Sequence, residues 1–217
     1  MTDPALARSN MVEGQLRPNK VTDQRIVDAM NAVPRELFVP KALRGVAYVD
    51  EDMAVAPGRY IMEPMVLARL LQAADIASDD IVLEIGCATG YATAILARVA
   101  DTVVAVEEDE ALAQGATDNL ASLEVANAAV VSGPLNAGYP GEGPYNVIVV
   151  GGAVEELNDD IIDQLAEGGR LVAVIIIGGV GKACLYTRVG GIVGRRELFD
   201  ASVPMLPGFA KGADFTF

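Results

Sequence analysis

From residue 64 onward the chain alternates apolar segments of four to eight residues with amphipathic ones, and this alternation limits its fold more than any other feature. The apolar segments predict five strands: Ile81 to Ile85, Thr102 to Val106, Ala128 to Val131, Val147 to Val150 and Arg170 to Ile177. The segments around them predict helices at Met65 to Ala74, Tyr91 to Val99, Glu110 to Leu123 and Asp160 to Ala166. Strands that are apolar along nearly their whole length and separated by helices belong to a parallel sheet covered on both faces. The sequence therefore predicts a doubly wound α/β fold.

The end of this region predicts a different kind of strand pairing. Two further apolar segments, Ala183 to Val189 and Ile192 to Phe199, are separated only by Gly190-Gly191. A Gly-Gly pair between two such segments is typical of a two-residue β-hairpin turn. We therefore expect a mostly parallel sheet of seven strands that finishes, at its edge, with an antiparallel C-terminal hairpin.

The first sixty residues have a different character, helical and irregular, without strand alternation. Thr22 and Asp23 can cap a helix with an apolar stripe along one face. The stripe consists of Ile26, Val27, Met30 and Val33. Three prolines then divide the chain into short pieces: Pro34, Pro40 and Pro57. Among the pieces, the acidic run Asp50 to Asp52 predicts a solvated turn.

Histidine is absent from the 217 residues, and its absence excludes several classes of site. His-assisted serine or cysteine triads, His-ligated zinc and haem, and an imidazole general base cannot be built. No metal site is predicted. The formal net charge of −14 argues against a polyanionic partner such as nucleic acid.

The cysteine spacing and the absence of long apolar segments predict a soluble, cytoplasmic protein. Cys87 and Cys184 stand far apart without a C-x-x-C, so we expect neither a redox motif nor a disulfide framework. The N-terminus carries Asp3 and Arg8 where a signal peptide would need an apolar core. The longest apolar run, Leu171 to Gly181, is too short to span a bilayer, so no membrane association is expected.

A glycine-rich turn joins the first predicted strand of the sheet to the helix after it. Such a turn lets backbone N–H groups and a helix N-terminus approach a ligand at the carboxyl edge of the sheet. A dinucleotide fingerprint starting at Gly86 would place Ala88 and Tyr91 where glycines are required. The spacing found is instead Glu84-x-Gly86-x-Ala88-x-Gly90. An acid beside the turn suits a cationic ligand, such as the sulfonium of S-adenosylmethionine, better than a pyrophosphate.

A second acid, Glu107, closes the second predicted strand 17 residues past Gly90. A carboxylate at that edge can accept both hydroxyls of an adenosine ribose, which is the role we favour. The neighbouring Glu108 and Asp109 can equally be solvated acids at the start of a helix. The alternative for the whole turn is a tight connection that binds nothing. Cys87 has no base beside it and is read as a packing residue.

Four motifs carry a resemblance to the protein-L-isoaspartate O-methyltransferase family, whose members have a class I, Rossmann-like, S-adenosylmethionine-dependent methyltransferase fold. AMNAVPRELFVP followed by AYVD resembles the family signature that precedes the glycine turn, and VLEIGCATGYATAILA resembles the cofactor motif. PYNVIVVGGA and QLAEGGRLVAVI resemble the motifs of the fourth and fifth strands. These segments are Ala29 to Pro40, Ala47 to Asp50, Val82 to Ala97, Pro144 to Ala153 and Gln164 to Ile175.

The resemblance implies the division of the chain, the activity and the site. Residues 1–62 would form a helical N-terminal extension with a substrate loop, and residues 63–217 the cofactor domain. The activity would be methylation of isoaspartyl carboxylates in damaged proteins, a repair reaction with S-adenosylmethionine as cofactor. Residues at the cofactor would be Glu84, Gly86, Cys87, Ala88, Gly90, Tyr91, Glu107, Glu108, Gly133 and Pro134.

The chain departs from the family pattern most in the substrate loop. That loop usually reads Gly-Gln-Thr-x-Ser-x-Pro, whereas Arg59, Tyr60 and Met62 stand here at the Gln, Thr and Ser positions. These three are the candidate catalytic positions. The Gly-Asp-Gly that supplies an adenine contact appears as Gly133-Pro134-Leu135, and Asn146 replaces an Asp. We therefore expect isoaspartyl methylation to be weak or absent while cofactor binding persists.

Three functions of different class remain open from the sequence. The leading one is methyl transfer to a carboxylate, which is already ionised at neutral pH and needs no general base, in keeping with the lack of histidine. The second is a non-catalytic relative that binds the cofactor or a protein partner. The third is a dinucleotide oxidoreductase, which the glycine spacing disfavours. Arg59 and Tyr60 can be read as contacts to a substrate carboxylate or as replacements in a loop without a role.

Overall fold

The computed structural model describes residues 3–210, and the first part of this range folds into short helices. They are helices α1 (Pro4–Met11) and α2 (Gln24–Ala32), a π-helical turn (Val12–Leu16) and two 3₁₀ segments (Arg35–Leu37 and Lys41–Val46). Asp23 caps α2 by accepting a hydrogen bond from the Arg25 N–H. The predicted stripe from Ile26 to Val33 is buried, which confirms the helix and the face it turns inward.

The expectation that this segment contains no strands is wrong. Strands β1 (Met53–Ala56) and β2 (Arg59–Ile61) pair antiparallel as a separate small sheet. Gly58 turns the chain between them with φ +70°, a backbone conformation that glycine adopts without strain. Strands of three and four residues are too short for an alternating pattern to be recognised.

The predicted solvated turn before this hairpin is also wrong, except at the exposed Glu51. Asp50 Oδ1 accepts a hydrogen bond from Met65 N at 3.1 Å, and Asp52 Oδ1 accepts one from Glu63 N at 2.9 Å. These N–H groups lie at the start of the next helix, where no intrahelical acceptor exists. Both acids therefore hold the segment just before β1 against the start of that helix.

The rest of the described chain alternates strands with helices as predicted. The helices are α3 (Pro64–Ala73), α4 (Tyr91–Leu96), α5 (Glu110–Ser122) and α6 (Asp159–Ile162). The strands are β3 (Ile81–Ile85), β4 (Thr102–Glu107), β5 (Ala128–Ser132), β6 (Tyr145–Val154), β7 (Leu165–Ile177), β8 (Val180–Val189) and β9 (Ile192–Asp200).

These seven strands form one sheet in the order β5-β4-β3-β6-β7-β8-β9. Pairs from β5 to β7 are parallel, whereas β7 with β8 and β8 with β9 are antiparallel. The doubly wound sheet and its antiparallel C-terminal hairpin are therefore confirmed. Because the strand order reverses between β3 and β6, a crevice opens at their carboxyl ends, where ligands bind in open α/β sheets.

Two predicted helix ends lie too far along the chain. The helix after the glycine turn ends at Leu96 instead of Val99. The helix predicted to reach Ala166 ends at Ile162, because Leu165 already pairs with Tyr145 at the start of β7. Short helices between buried strands lack the length over which periodicity becomes distinctive.

The two faces of the sheet are covered by different parts of the chain. Residues of the N-terminal helices, among them Leu16 and Met30, share one buried cluster with α3, α4 and one sheet face. On the other face α6 packs against β6 and β7, together with Leu206 and Phe209 from the segment after β9. The division at residue 62 stays a prediction, and residues 1–2 and 211–217 of the two predicted segments lie outside the described range. None of the helices in residues 3–210 is long and apolar enough to cross a bilayer.

Candidate functional site

The turn after β3 places backbone N–H groups and a helix start at the carboxyl edge of the sheet. Gly86 and Gly90 have φ of +83° and +89°, and Ala88 lies in the same left-handed region at +50°. The N–H groups of Gly86 and Cys87 donate to the Val106 carbonyl oxygen, which ties the turn to the end of β4. The left-handed values explain why glycine stands at these two positions.

Glu107, the last residue of β4, lies beneath this turn and is fully buried. Three backbone N–H groups donate to its carboxylate: Ala88 at 2.8 Å, Glu108 at 3.0 Å and Asp109 at 3.2 Å. The sequence thus places the carboxylate at the edge where we expected it. The other predicted acid, Glu108, has an exposed side chain, and only its backbone N–H contacts the Glu107 carboxylate.

The remaining partner of Glu107 is a guanidinium from the small N-terminal hairpin. Arg59, at the start of β2, donates from Nη1 to Oε1 at 2.8 Å and from Nη2 to Oε2 at 2.7 Å. These two hydrogen bonds make the ion pair bidentate, and the Arg59 side chain is only 5% exposed. Nothing in the sequence pairs Arg59 with Glu107, because 48 residues separate them.

The segment that follows β9 covers the glycine turn from above. Leu206 N donates to the Ala153 carbonyl oxygen at 2.8 Å, and Ala153 N donates to that of Pro204 at 2.9 Å, so the segment crosses the end of β6. A methyl group on Gly86 would lie 2.8 Å from Leu206 Cδ2 and 3.3 Å from Arg59 Nη2. The side of the turn on which Gly86 lacks a side chain is therefore covered by Arg59 and Leu206. Sequence reasoning missed Leu206, which belongs to no recognised motif.

The other predicted substrate-loop positions line a narrow cleft beside the ion pair. Tyr60 is half-buried and Met62 is buried, and both border a small cavity of about 20 Å³. Glu84, Gly86, Cys87, Tyr91 and Gly151 form much of the opposite wall. The fold therefore brings the predicted substrate loop against the predicted cofactor residues, as the sequence motifs implied.

Glu84 lines this cleft and is buried like Glu107, but it has different hydrogen-bond partners. Its Oε2 accepts one hydrogen bond, from Thr93 Oγ1 of α4 at 2.6 Å. Burial, and less strongly the nearby charge of Glu107, raises the pKa of Glu84 to about 7 against the Thr93 hydrogen bond. Glu84 is therefore partly protonated near neutral pH.

The remaining predicted cofactor residues have structural contacts of their own. Cys87 is buried, and burial raises the pKa of its thiol far above the ordinary value, so it is not a nucleophile. The Tyr91 ring packs edge-on against Phe38 at 5.6 Å and under the Arg35 guanidinium at 4.7 Å. Gly133 N donates to the Glu107 carbonyl oxygen at 3.1 Å, which keeps the turn after β5 beside β4.

Pro134 and Asn146 stand where the family pattern has an acid, and they lie at different distances from the cleft. Pro134 is exposed beside Gly133. Asn146 lies at the start of β6, where its Oδ1 accepts the Ile81 N–H at 2.8 Å, at the opposite end of the strands from the cleft. The Asp-to-Asn change therefore concerns strand alignment and not ligand contact.

The sequence profile of the Protein-L-isoaspartate(D-aspartate) O-methyltransferase (PCMT) family matches residues 7–190. The chain belongs to this family.

Curated relatives agree over most of the chain. A protein-L-isoaspartate O-methyltransferase of Methanoculleus marisnigri is 44% identical over 168 residues, which are 77% of this chain and 76% of the relative. One from Koribacter versatilis is 36% identical over 209 residues, 95% of this chain and 93% of the relative. The family resemblance of the sequence motifs is thereby confirmed.

Solved structures show the same fold. A protein-L-isoaspartate O-methyltransferase superposes with a TM-score of 0.80 at 26% identity, covering 93% of this chain and 66% of that chain. A β-aspartate methyltransferase from Plasmodium falciparum, solved in complex with S-adenosyl-L-homocysteine, gives 0.78 at 19% identity over 91% and 96% of the two chains. The second likeness is evidence for the fold alone.

Proposed function

We propose that this family member is an S-adenosylmethionine-dependent methyltransferase with a carboxylate acceptor, in the class of the isoaspartyl repair enzymes of the cytoplasm. One observation carries the proposal: the glycine turn and the loop of residues 57–64 line one cleft on the carboxyl edge of the sheet, and the Glu107 carboxylate accepts the Ala88 N–H of that turn beside it. This is the edge at which open α/β sheets bind nucleotide-type ligands.

The residues present fit the cofactor at the glycine turn and at Glu107. Gly86 and Gly90, both left-handed, leave two positions of the turn without side chains, and the Glu107 oxygens suit the two ribose hydroxyls once Arg59 has moved aside. When bound, the cofactor supplies an electrophilic methyl group on its sulfonium. Glu84, Glu107 and the turn would orient it, and the loop of residues 57–64 would exclude water from the acceptor.

A carboxylate acceptor suits what the chain offers around this cleft. Such an acceptor is ionised at neutral pH, so no residue has to remove a proton from it. Arg59 does not serve as a ready contact for the acceptor in this structure, because both of its Nη atoms donate to Glu107. Tyr60 is the remaining hydrogen-bond donor at the three replaced loop positions. Positioning of the acceptor therefore depends on fewer side chains than in the family pattern.

We expect weak methylation of isoaspartyl peptides, since an oriented donor missing from a closed site costs on the order of a hundredfold in rate. The double variant Tyr60→Thr, Met62→Ser places the short aliphatic hydroxyls of the family pattern where a phenol and a thioether stand. It should raise turnover at least tenfold, about 1.4 kcal/mol of transition-state stabilisation. The measurement is transfer of labelled methyl groups to an isoaspartyl peptide, with the ordinary aspartyl peptide as control.

Brisk turnover by the unmodified protein would contradict this account of the loop, because other groups would then position the acceptor. A second candidate function is a non-catalytic protein that binds the cofactor, and the observation that favours it is the buried Met62, which offers an acceptor no hydrogen bond. Cofactor binding without methyl transfer by either protein would support this candidate.

A further inference from the structure

We propose that Arg59–Glu107 is an autoinhibitory ion pair, in which the substrate loop occupies the ribose-binding carboxylate and must release it before the cofactor binds. This inference rests on the proposed function, because it assigns Glu107 to the cofactor. It adds a residue that controls cofactor affinity, contributed by a segment outside the glycine motif.

In this ion pair the Arg59 guanidinium mimics the ribose of the cofactor. An adenosine ribose offers two adjacent hydroxyl donors, and a guanidinium offers two adjacent N–H donors in one plane. Arg59 uses both on the two oxygens of Glu107, at 2.8 and 2.7 Å. With the three backbone donors the carboxylate accepts five hydrogen bonds, so a ribose can be accepted only in place of Arg59.

The partners of Glu107 differ in how firmly the fold holds them. Ala88, Glu108 and Asp109 donate from the backbone of the glycine turn and of the start of α5, against the central sheet. Arg59 follows the exposed Gly58 in a two-stranded sheet separate from the main one, with a register shift on β1. Its long side chain is thus the exchangeable partner.

The position of Arg59 also blocks the glycine turn. Nη2 lies 3.3 Å from where a methyl group on Gly86 would be, on the side that faces the cleft. A ligand that approaches the turn from this side meets the guanidinium and also Leu206, whose Cδ2 would lie 2.8 Å from the same methyl group. Release of the ion pair therefore frees the ribose position and removes one of the two side chains that cover the turn.

Binding of the cofactor is weakened by whatever free energy breaking the pair requires, because only the open form binds. Removing the guanidinium should remove that cost. We expect Arg59→Met to bind S-adenosylhomocysteine at least ten times more tightly than the unmodified protein, measured by isothermal titration calorimetry. The control is Arg98→Met, the same change at an exposed position of the segment after α4, which should leave the affinity unchanged.

A third protein tests whether the released carboxylate is what the ligand uses. Adding Glu107→Gln to Arg59→Met should cancel the gain in affinity. If Arg59→Met leaves a buried charge that prevents folding, Arg59→Gln replaces it, because glutamine keeps one donor toward Glu107. Circular dichroism and thermal unfolding verify that each variant is folded.

The outcomes separate the inference from the function on which it rests. Equal or weaker binding by Arg59→Met, with clear binding by the unmodified protein, overturns the autoinhibitory pair and leaves the cofactor site standing. If none of the folded proteins binds S-adenosylhomocysteine, the proposed cofactor site is wrong. The proposal that the ion pair opposes cofactor binding then fails with it. Tighter binding by Arg59→Met that Glu107→Gln does not cancel places the ribose elsewhere and also overturns the inference.

Discussion

Two buried carboxyls lie near the ends of neighbouring strands, Glu84 on β3 and Glu107 on β4, and their surroundings give them different tasks. Glu107 accepts five hydrogen bonds, one pair of them from a guanidinium. Glu84 accepts one, from the Thr93 hydroxyl, and burial raises its pKa to about 7. An uncompensated buried charge is costly, so Glu84 tends to keep its proton. Glu107, by contrast, is paired with the positive charge of Arg59.

The raised pKa of Glu84 makes the stability of the protein depend on pH. Below the unfolded-state pKa of 4.5 the group is protonated in both states and contributes no difference. As pH rises from there to about 7, the unfolded chain ionises first, so the free energy of unfolding falls. The Glu84→Gln variant should lack this fall, which amounts to about 3 kcal/mol when fully developed.

Urea unfolding of both proteins near pH 5 and near pH 8 measures the difference. Glu63, whose pKa burial also raises to about 7, is present in both proteins, so its contribution cancels. If the two proteins lose stability in parallel over this range, Glu84 ionises in the folded state as readily as in the unfolded one. The pKa assigned to it would then be wrong.

At the scale of elements, the close approach of β6 to the glycine turn depends on a single missing side chain. A Cβ added at Gly151 would lie 2.5 Å from the Gly86 carbonyl oxygen and 3.2 Å from that of Ile85. Both neighbours are backbone, so no side chain can turn away to make room. The end of β6 and the turn after β3 are therefore in contact because residue 151 is glycine.

We expect Gly151→Ala to lower the free energy of unfolding by about 1–3 kcal/mol or more, the usual cost of overpacking. The matched control is Gly115→Ala in α5, where an added Cβ meets nothing within 4 Å. That change should be neutral or stabilising by about 0.5–1 kcal/mol, because alanine suits a helix interior better than glycine. Urea denaturation curves of the two variants test both, and similar stabilities would show that the turn yields to the added methyl group.

Strands and helices with a long or regular pattern of apolar residues could be predicted from the sequence. Elements whose positions depend on contacts between distant residues could not. The apolar segments gave β3 to β9 to within a few residues at most ends, and Gly190-Gly191 marked the β8–β9 turn because only two residues join the strands. The β1–β2 hairpin was missed, since its strands are three and four residues long.

The site was predictable only where a local motif reports it. The glycine turn and Glu107 follow from spacing along the chain. The partner of Glu107 does not, because Arg59 reaches it through the packing of a loop 48 residues earlier. Leu206 likewise covers Gly86 after the last strand has ended, and its position follows from the path of the chain across β6.

At the scale of the whole molecule, the net charge of −14 acts against the folded state through repulsion among surface carboxylates. Several ion pairs in residues 3–210 are largely exposed, such as Lys182–Asp200 with its acid 72% exposed, and exposed pairs contribute little. Screening by salt should therefore weaken the repulsion among surface carboxylates more than it weakens the attraction within surface ion pairs.

We expect the free energy of unfolding to rise by about 1 kcal/mol between low and physiological ionic strength. Urea unfolding in increasing sodium chloride at constant pH measures this change. The buried Arg59–Glu107 pair should be insensitive to salt, so Arg59→Met should show the same slope as the unmodified protein. A decrease of stability with salt would mean that attractive pairs dominate the surface.

The Arg59–Glu107 ion pair also has a consequence for the end of a catalytic cycle. Once the guanidinium has left, the cleft holds Glu107 without its cation and favours a positively charged sulfonium over the neutral thioether that remains after methyl transfer. The demethylated product would thus be held less firmly than the substrate, and the returning guanidinium would compete for its place. Where product release limits turnover, the residue that delays entry of the cofactor would speed departure of the spent one and reduce product inhibition.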